Sequence, residues 1–170
     1  MNRAVLAMAL LCACIGLAVA QPKSNVFGDP FEQITSAIEA CPVPEGPLLT
    51  EAEARAESHW RVERGTSCFQ SGRCRLPNAY LYDREIIPRV KRFLSQDRRF
   101  DHSSLWVIGQ RRWVFILGCV ETEAQGLEVE KAVQAIDDVE SVVGQWSTDP
   151  ALVPYRKAEP ARETRSPLRP

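Results

Sequence analysis

The hydrophobic and polar positions alternate most regularly between residues 83 and 120. Over residues 83–96 the apolar side chains recur at helical spacing and form one stripe, which consists of Ile86, Ile87, Val90, Phe93 and Leu94. Pro88 lies close enough to the start of this segment to be tolerated in a helix. Two apolar runs follow, with Gly109, Gln110 and Arg111 between them, and this pattern predicts a β-hairpin.

The second strand of the predicted hairpin is apolar on both sides. Successive side chains of a strand point to opposite faces. One face therefore contains Val114, Ile116, Gly118 and Val120, and the other contains Trp113, Phe115, Leu117 and Cys119. We expect both faces of the sheet to be covered.

A helix and a third strand are predicted after the hairpin. Thr122 and Gln125 have the spacing of a capping box. The helix that they open has an inward stripe made of Leu127, Val129, Ala132, Val133 and Ile136. It should end near Asp137 and Asp138, and residues 139–146 form the next apolar run. The order of elements over residues 83–146 is therefore helix, strand, strand, helix, strand.

The segments on either side are less regular. Asp29, Pro30, Ile34 and Ile38 favour a short helix over residues 29–40, and Thr50 with Glu53 predicts a capped helix that ends near residue 63. Residues 64–80 are predicted to be a loop. Residues 149–170 contain five prolines and little apolar content, which predicts disorder.

The first 20 residues have the three-part pattern of a secretory signal peptide. Arg3 precedes an apolar run over residues 4–20, and that run ends in Ala-Val-Ala. We therefore predict export to the periplasm with cleavage after Ala20. A membrane anchor would need a longer run. Acylation at Cys12 or Cys14 is a second alternative.

Cysteines and charge narrow the class of protein. Cleavage after Ala20 leaves Cys41, Cys68, Cys74 and Cys119, and an even number of cysteines in an exported chain indicates disulfides. Three pairings are formally open. Cys68 with Cys74 is the local choice, which leaves Cys41 for Cys119. The spacing does not match a zinc site. The net charge of −1 argues against a general nucleic-acid binder.

The sequence contains no recognisable catalytic or cofactor-binding pattern. His59 and His102 are the only histidines, and neither has the spacing of a metal site or a catalytic triad. Phosphate-binding, zinc-protease and nucleophile-elbow motifs are absent from the sequence. We therefore predict no catalytic residue, no metal, no cofactor and no small-molecule substrate.

Residues 83–146 resemble the BON domain family, a small module of the bacterial envelope. The resemblance rests on Val114, Ile116, Gly118 and Val120, on the helix start at residues 121–125, and on Ala132, Ile136, Val139, Val142 and Val143. It implies an α+β fold, in which two helices lie on one face of a three-stranded sheet. It also implies that Gly118 allows close helix packing or a strand bend. Where the family usually has glycine before the third strand, this chain has Asp138.

The resemblance divides the chain into four parts. These are the signal peptide at 1–20, a helical and loop extension at 21–82 that disulfides hold, a BON-like domain at 83–148 and the tail at 149–170. The family's helices would leave the Cys119 face of the sheet open. We expect the N-terminal extension, tied by a Cys41–Cys119 bond, to cover that face.

Charge distribution suggests the partner. Residues 84–112 have a local charge of +5, whereas residues 119–149 have a local charge of −7. The resemblance and the basic segment favour a non-catalytic role in stress and envelope integrity, with binding to anionic phospholipid or an envelope protein. The candidate contact residues are Arg89, Arg92, Arg98, Arg99, Arg111 and Arg112. Two alternatives remain. The basic and acidic surfaces could pair with each other, or the protein could be an interaction adaptor for a secretion or surface-assembly complex that uses Trp106, Trp113, Phe115 or the tail.

Overall fold

The structure, a computed structural model, describes residues 21–159. The predicted signal peptide and residues 160–170 lie outside this range. The described chain contains four strands and three α-helices, with short 3-10 turns between them. In chain order they are β1 (Phe31–Gln33), α1 (Glu51–Gln70), α2 (Asp83–Gln96), β2 (Ser104–Gln110), β3 (Trp113–Cys119), α3 (Glu123–Gln134) and β4 (Ser141–Ser147).

The four strands form one sheet in the order β1-β2-β3-β4. The β1–β2 and β2–β3 pairs are antiparallel, and β3 and β4 are parallel, with α3 as the connection between them. The α+β class is confirmed, but the predicted three-stranded sheet gains a fourth strand from the N-terminal extension. The helix predicted over residues 29–40 is wrong at this point, because Phe31–Gln33 pairs with Trp106–Ile108. Tertiary pairing overrides a weak local helix signal.

Both α2 and α3 pack on the same side of the sheet, as the resemblance implied. We call this side the helical face. Its fully buried strand residues are Leu105, Val107, Val114 and Ile116, and its buried helix residues are Ile86, Ile87, Val90, Leu94, Val129 and Val133. Two residues predicted to point inward do not. Phe93 is 44% exposed and Leu127 is 55% exposed, because each lies at the edge of its helix's apolar stripe.

The opposite side, which we call the disulfide face, contains Trp106, Ile108, Leu117 and Cys119. The N-terminal extension covers it, and Cys41 forms a disulfide with Cys119, as expected. Residues 149–159 were predicted to be disordered, and this is wrong. Val153 and Tyr155 pack on the disulfide face, and the Tyr155 hydroxyl donates to the Pro42 carbonyl at 2.7 Å. A few apolar side chains in a Pro-rich segment are enough when a preformed surface accepts them.

Helix α1 is longer than predicted. The capping box is present, since the Glu53 amide donates to Thr50 Oγ1 and the Thr50 amide donates to Glu53 Oε2. The helix then runs past the predicted end to Gln70, where Cys68 forms the second predicted disulfide with Cys74. Gly65 faces the Asn78 side chain so closely that a Cβ would lie 2.7 Å from Asn78 Oδ1. The glycine therefore marks a packing contact and not the start of a loop.

Gly118 is required by the close approach of strand β2 and not by the packing of a helix. Its φ is 137°, and a Cβ at this position would lie 2.0 Å from the Ser104 carbonyl oxygen of β2. Only glycine combines this backbone conformation with so close an approach of the neighbouring strand. The expectation of a strand bend is compatible with this geometry, whereas the helix-packing role is not.

Candidate membrane-facing surface

The six candidate arginines lie in three different elements of the fold. Arg89 and Arg92 lie on α2, Arg98 and Arg99 lie in the 3-10 turn after it, and Arg111 and Arg112 form the tip of the β2–β3 hairpin. The turn is therefore Arg111–Arg112, one residue later than the sequence suggested.

Two arginines at the hairpin tip adopt a backbone conformation that usually needs glycine or asparagine. Arg111 has φ 58° and Arg112 has φ 68°, which matches the tight turn that suits the twist of a hairpin. The carboxylate of Asp83 accepts both backbone amides, at 2.6 Å from Arg111 and 2.7 Å from Arg112. A buried side chain at the start of α2 therefore holds the turn in place.

Asp83 is 1% exposed. Burial raises its pKa from 3.8 to about 7, because desolvation outweighs the two amide donors that favour the carboxylate. This carboxyl group faces the backbone of the turn, so it is a structural acceptor and not a surface charge.

The Arg89 and Arg112 side chains are engaged in hydrogen bonds within the protein. Arg89 donates to Asp138 Oδ2 at 2.9 Å and to the Asp137 carbonyl at 3.0 Å. Arg112 donates through Nε to the Asp138 carbonyl at 2.9 Å and through Nη1 to Cys74 Sγ at 3.3 Å. The Arg89 guanidinium holds the pKa of Asp138 below its usual value. These two arginines fix the start of β4.

Asp138 stands where the family usually has glycine, and it does adopt the left-handed conformation, with φ 71°. The cost of this conformation for a non-glycine residue is of the order of 1 kcal/mol. The arginine contacts to its side chain and carbonyl oppose that cost.

The arginines after α2 are partly paired. Arg99 contacts Asp97 at 2.6 Å and Glu128 at 3.4 Å. Arg98 is 95% exposed and has only a long contact to Asp101, at 3.7 Å. Arg111 stacks over Trp113 with its guanidinium carbon 5.3 Å from the ring centre. The expectation that basic and acidic surfaces pair with each other therefore holds for Arg89, Arg99 and Arg112.

The outer side of α2 retains basic residues without ion-pair partners. Within residues 21–159, no carboxylate lies within 4 Å of the Arg84 or Arg92 guanidinium, and both residues are exposed. Sequence reasoning had not selected Arg84. Its helical spacing from Pro88 and Arg92, opposite the buried stripe, was the available signal.

A groove of about 310 Å³ separates the C-terminal half of α2 from α3. Phe93 forms one wall, Ala132 and Ala135 form the other, and Arg99, Glu128 and Lys131 lie at the rim. Sequence reasoning missed this feature because it placed Phe93 in the core. An exposed aromatic ring beside Arg92 combines apolar and cationic character on one surface.

The comparisons with known proteins identify the domain. The family model of the BON domain matches residues 82–148. This region of the chain is a BON domain. No curated protein and no solved structure gave a match. A BON domain indicates an envelope-associated protein, and proteins with this domain are generally not enzymes.

Two kinds of site are absent from residues 21–159. These residues contain no cluster of His, Cys, Asp and Glu that could hold a metal ion. They also contain no helix long and apolar enough to cross a membrane. The aromatic residues of the adaptor hypothesis are mostly covered, since Trp106 is 5% exposed and Phe115 packs against the disulfide face.

Proposed function

We propose that the protein is a periplasmic, non-catalytic BON-domain protein that binds anionic phospholipid and supports envelope integrity. The contact surface is the outer side of α2 together with the α2–α3 groove. The observation that carries this proposal is the unpaired Arg92 beside the exposed ring of Phe93, with Arg84 two turns earlier on the same helix.

The energetics favour a reversible interaction. A well-placed arginine contributes about 1 kcal/mol at an anionic membrane surface, and this contribution falls with salt. Arg84, Arg92 and Arg98 are available for headgroups, whereas Arg89 and Arg112 are held by Asp138. Phe93 adds apolar contact at the level where headgroups meet acyl chains. The predicted set of six arginines is thus reduced to Arg92 and Arg98 with Arg111 at the hairpin tip, and Arg84 joins them.

Liposome flotation tests this proposal. The oxidised mature protein is mixed with anionic and with zwitterionic vesicles at low and at moderate salt. We expect flotation with anionic vesicles only, weaker at moderate salt. Absence of flotation under all four conditions would remove phospholipid as the ligand and make an envelope protein the partner to search for.

Charge reversal then locates the contact. Arg84→Glu with Arg92→Glu should weaken binding by at least about 30-fold, because the loss of two surface arginines alone accounts for that factor and the two new carboxylates repel the anionic surface. The matched control is Arg64→Glu with Arg73→Glu, which changes net charge equally at exposed positions on and after α1. Equal losses in both double variants would show that binding follows net charge and not the α2 surface.

A further inference from the structure

The outer edge of β4 is open. β4 is the last strand in the sheet order, and no other described segment pairs with its far side. Each of its residues is half-buried or exposed, although β3 beside it is mostly buried. The chain after β4 crosses the disulfide face, where Val153 and Tyr155 pack, and it leaves the edge uncovered.

The direction of the backbone groups along this edge follows from the neighbouring contact. The Ser147 carbonyl accepts from the Val120 amide at 3.0 Å, so Ser147 points toward β3. Because successive residues of a strand point their amide and carbonyl groups to opposite sides, Val143 and Gln145 also point toward β3. Val142, Gly144 and Trp146 then direct their backbone donors and acceptors outward. These three residues form the free edge.

The free edge lacks the devices that usually protect an exposed strand. Proteins block such edges with charges, prolines, bulges or very short strands. The seven residues of β4 include no proline and no charged residue. The other end of the sheet is different, because β1 has only three residues and Glu32 there is ion-paired with Lys91 at 2.6 Å. The contrast singles out β4 as a strand that can still accept a partner.

We propose that β4 is a self-association surface on which a second copy of this chain pairs its own β4 in antiparallel fashion, with the two-fold axis at Gly144. Such pairing is isologous, since the same edge is used by both copies. Three outward residues on each side give hydrogen-bonded pairs of Gly144 with Gly144 and of Val142 with Trp146, so every outward amide and carbonyl finds a partner.

The side chains are compatible with this register. On the helical face Val142 of one copy lies opposite Trp146 of the other, which is a favourable aromatic and β-branched pair. On the disulfide face Val143 lies opposite Gln145, and Ser141 lies opposite Ser147. No like charges within the strand oppose each other, and Gly144 places no side chain on the axis.

One contact opposes association. The Glu130 carboxylate accepts from Trp146 Nε1 at 2.8 Å and lies directly over Gly144, where an added Cβ would come within 1.9 Å of Glu130 Oε1. Two-fold pairing brings the two Glu130 carboxylates close together near the axis. Like charges in such positions disfavour pairing, so Glu130 sets the strength of the association.

Sedimentation of the oxidised mature protein over a wide concentration range tests the proposal. We expect a monomer–dimer equilibrium, and Glu130→Gln should lower the dissociation constant roughly threefold to fivefold, because glutamine keeps an oxygen for Trp146 and removes the charge. Glu123→Gln, which removes one charge from the exposed start of α3, is the control and should change the constant much less.

Amide exchange identifies the surface used. In the monomer, the amides of Val142, Gly144 and Trp146 should exchange faster than those of Val143 and Gln145, and they should become protected as concentration rises. Monomers at all concentrations for both the wild type and Glu130→Gln would overturn the proposal. Dimers without protection of the three outward amides would also overturn it, because association would then use another surface.

Discussion

The helical face of the sheet lies under α2 and α3, whereas the disulfide face lies under extended and irregular segments. On the helical face, side chains join the layers through packing and through hydrogen bonds such as that from Trp146 Nε1 to Glu130, and the principal apolar residues are fully buried. On the disulfide face, backbone groups also contribute. The Ile38 amide donates to Ser104 Oγ at 2.8 Å, and the Ser104 hydroxyl in turn contacts the Ile38 carbonyl at 3.1 Å.

This difference has a physical origin. A helix satisfies its own backbone hydrogen bonds, so it can cover a sheet through side chains alone. An irregular segment has to place its amides and carbonyls against other groups. It also loses more conformational entropy for each apolar side chain that it buries. The Cys41–Cys119 bond offsets part of that loss by restricting the unfolded chain.

The largest effect is expected from removal of this bond. Cys41→Ser with Cys119→Ser should lower the free energy of unfolding by up to about 4.5 kcal/mol, because the bond closes a long loop. Cys68→Ser with Cys74→Ser opens a short loop and should cost about 2.4 kcal/mol. Urea unfolding of both variants measures the difference. Equal losses of unfolding free energy in the two double variants would show that attachment of the N-terminal extension to the disulfide face does not depend on the long-range bond.

Truncation of two neighbouring residues of β3 allows a direct comparison of how much packing on each face contributes to stability. Ile116 is 0% exposed under the helices, and Leu117 is 4% exposed under the extension. Ile116→Ala should cost about 4 kcal/mol and Leu117→Ala about 2.5 kcal/mol, because irregular segments can relax into the space that is left. Denaturant unfolding checks this order. A larger loss at Leu117 would mean that the extension is packed as rigidly as the helices.

The buried contact between Asp83 and the hairpin turn predicts that the stability of the protein depends on pH. The pKa of Asp83 is raised to about 7. Its contribution to stability is therefore complete below its ordinary value of 3.8 and is lost as pH rises toward 7. The free energy of unfolding of the wild type, relative to that of Asp83→Asn, should fall as pH rises through this window, by up to about 1.4 kcal/mol per pH unit. A difference that stays constant between pH 4 and pH 7 would contradict the raised pKa.

The smallest effect is expected where β1 meets α2. The Lys91–Glu32 ion pair joins α2 to the edge strand β1, but both side chains are more than 40% exposed. Glu32→Gln should change the free energy of unfolding by less than about 0.5 kcal/mol. Thermal unfolding at low and at high salt measures this change. A larger, salt-sensitive loss would show that charge, and not backbone pairing, attaches β1.

The sequence was most informative where one amphipathic pattern was strong. The limits of α2 and the faces of β3 were predicted correctly because a single stripe or alternation decides them. β1 was missed because three residues acquire strand structure only by pairing with β2. The set of six candidate contact arginines was predicted too broadly for a similar reason. Arg89 meets Asp138 from 49 positions away, and no local pattern reports such a pair.

The contact between Asp83 and the hairpin tip also has a consequence for sequence variation. The carboxylate allows arginines to occupy two left-handed positions 28 and 29 residues further along the chain. Loss of Asp83 should be tolerated far better in a chain that has Asn-Gly at 111 and 112, since those residues favour the turn without help. The three positions are therefore expected to change together, so that the effect of substituting one depends on which residues occupy the other two.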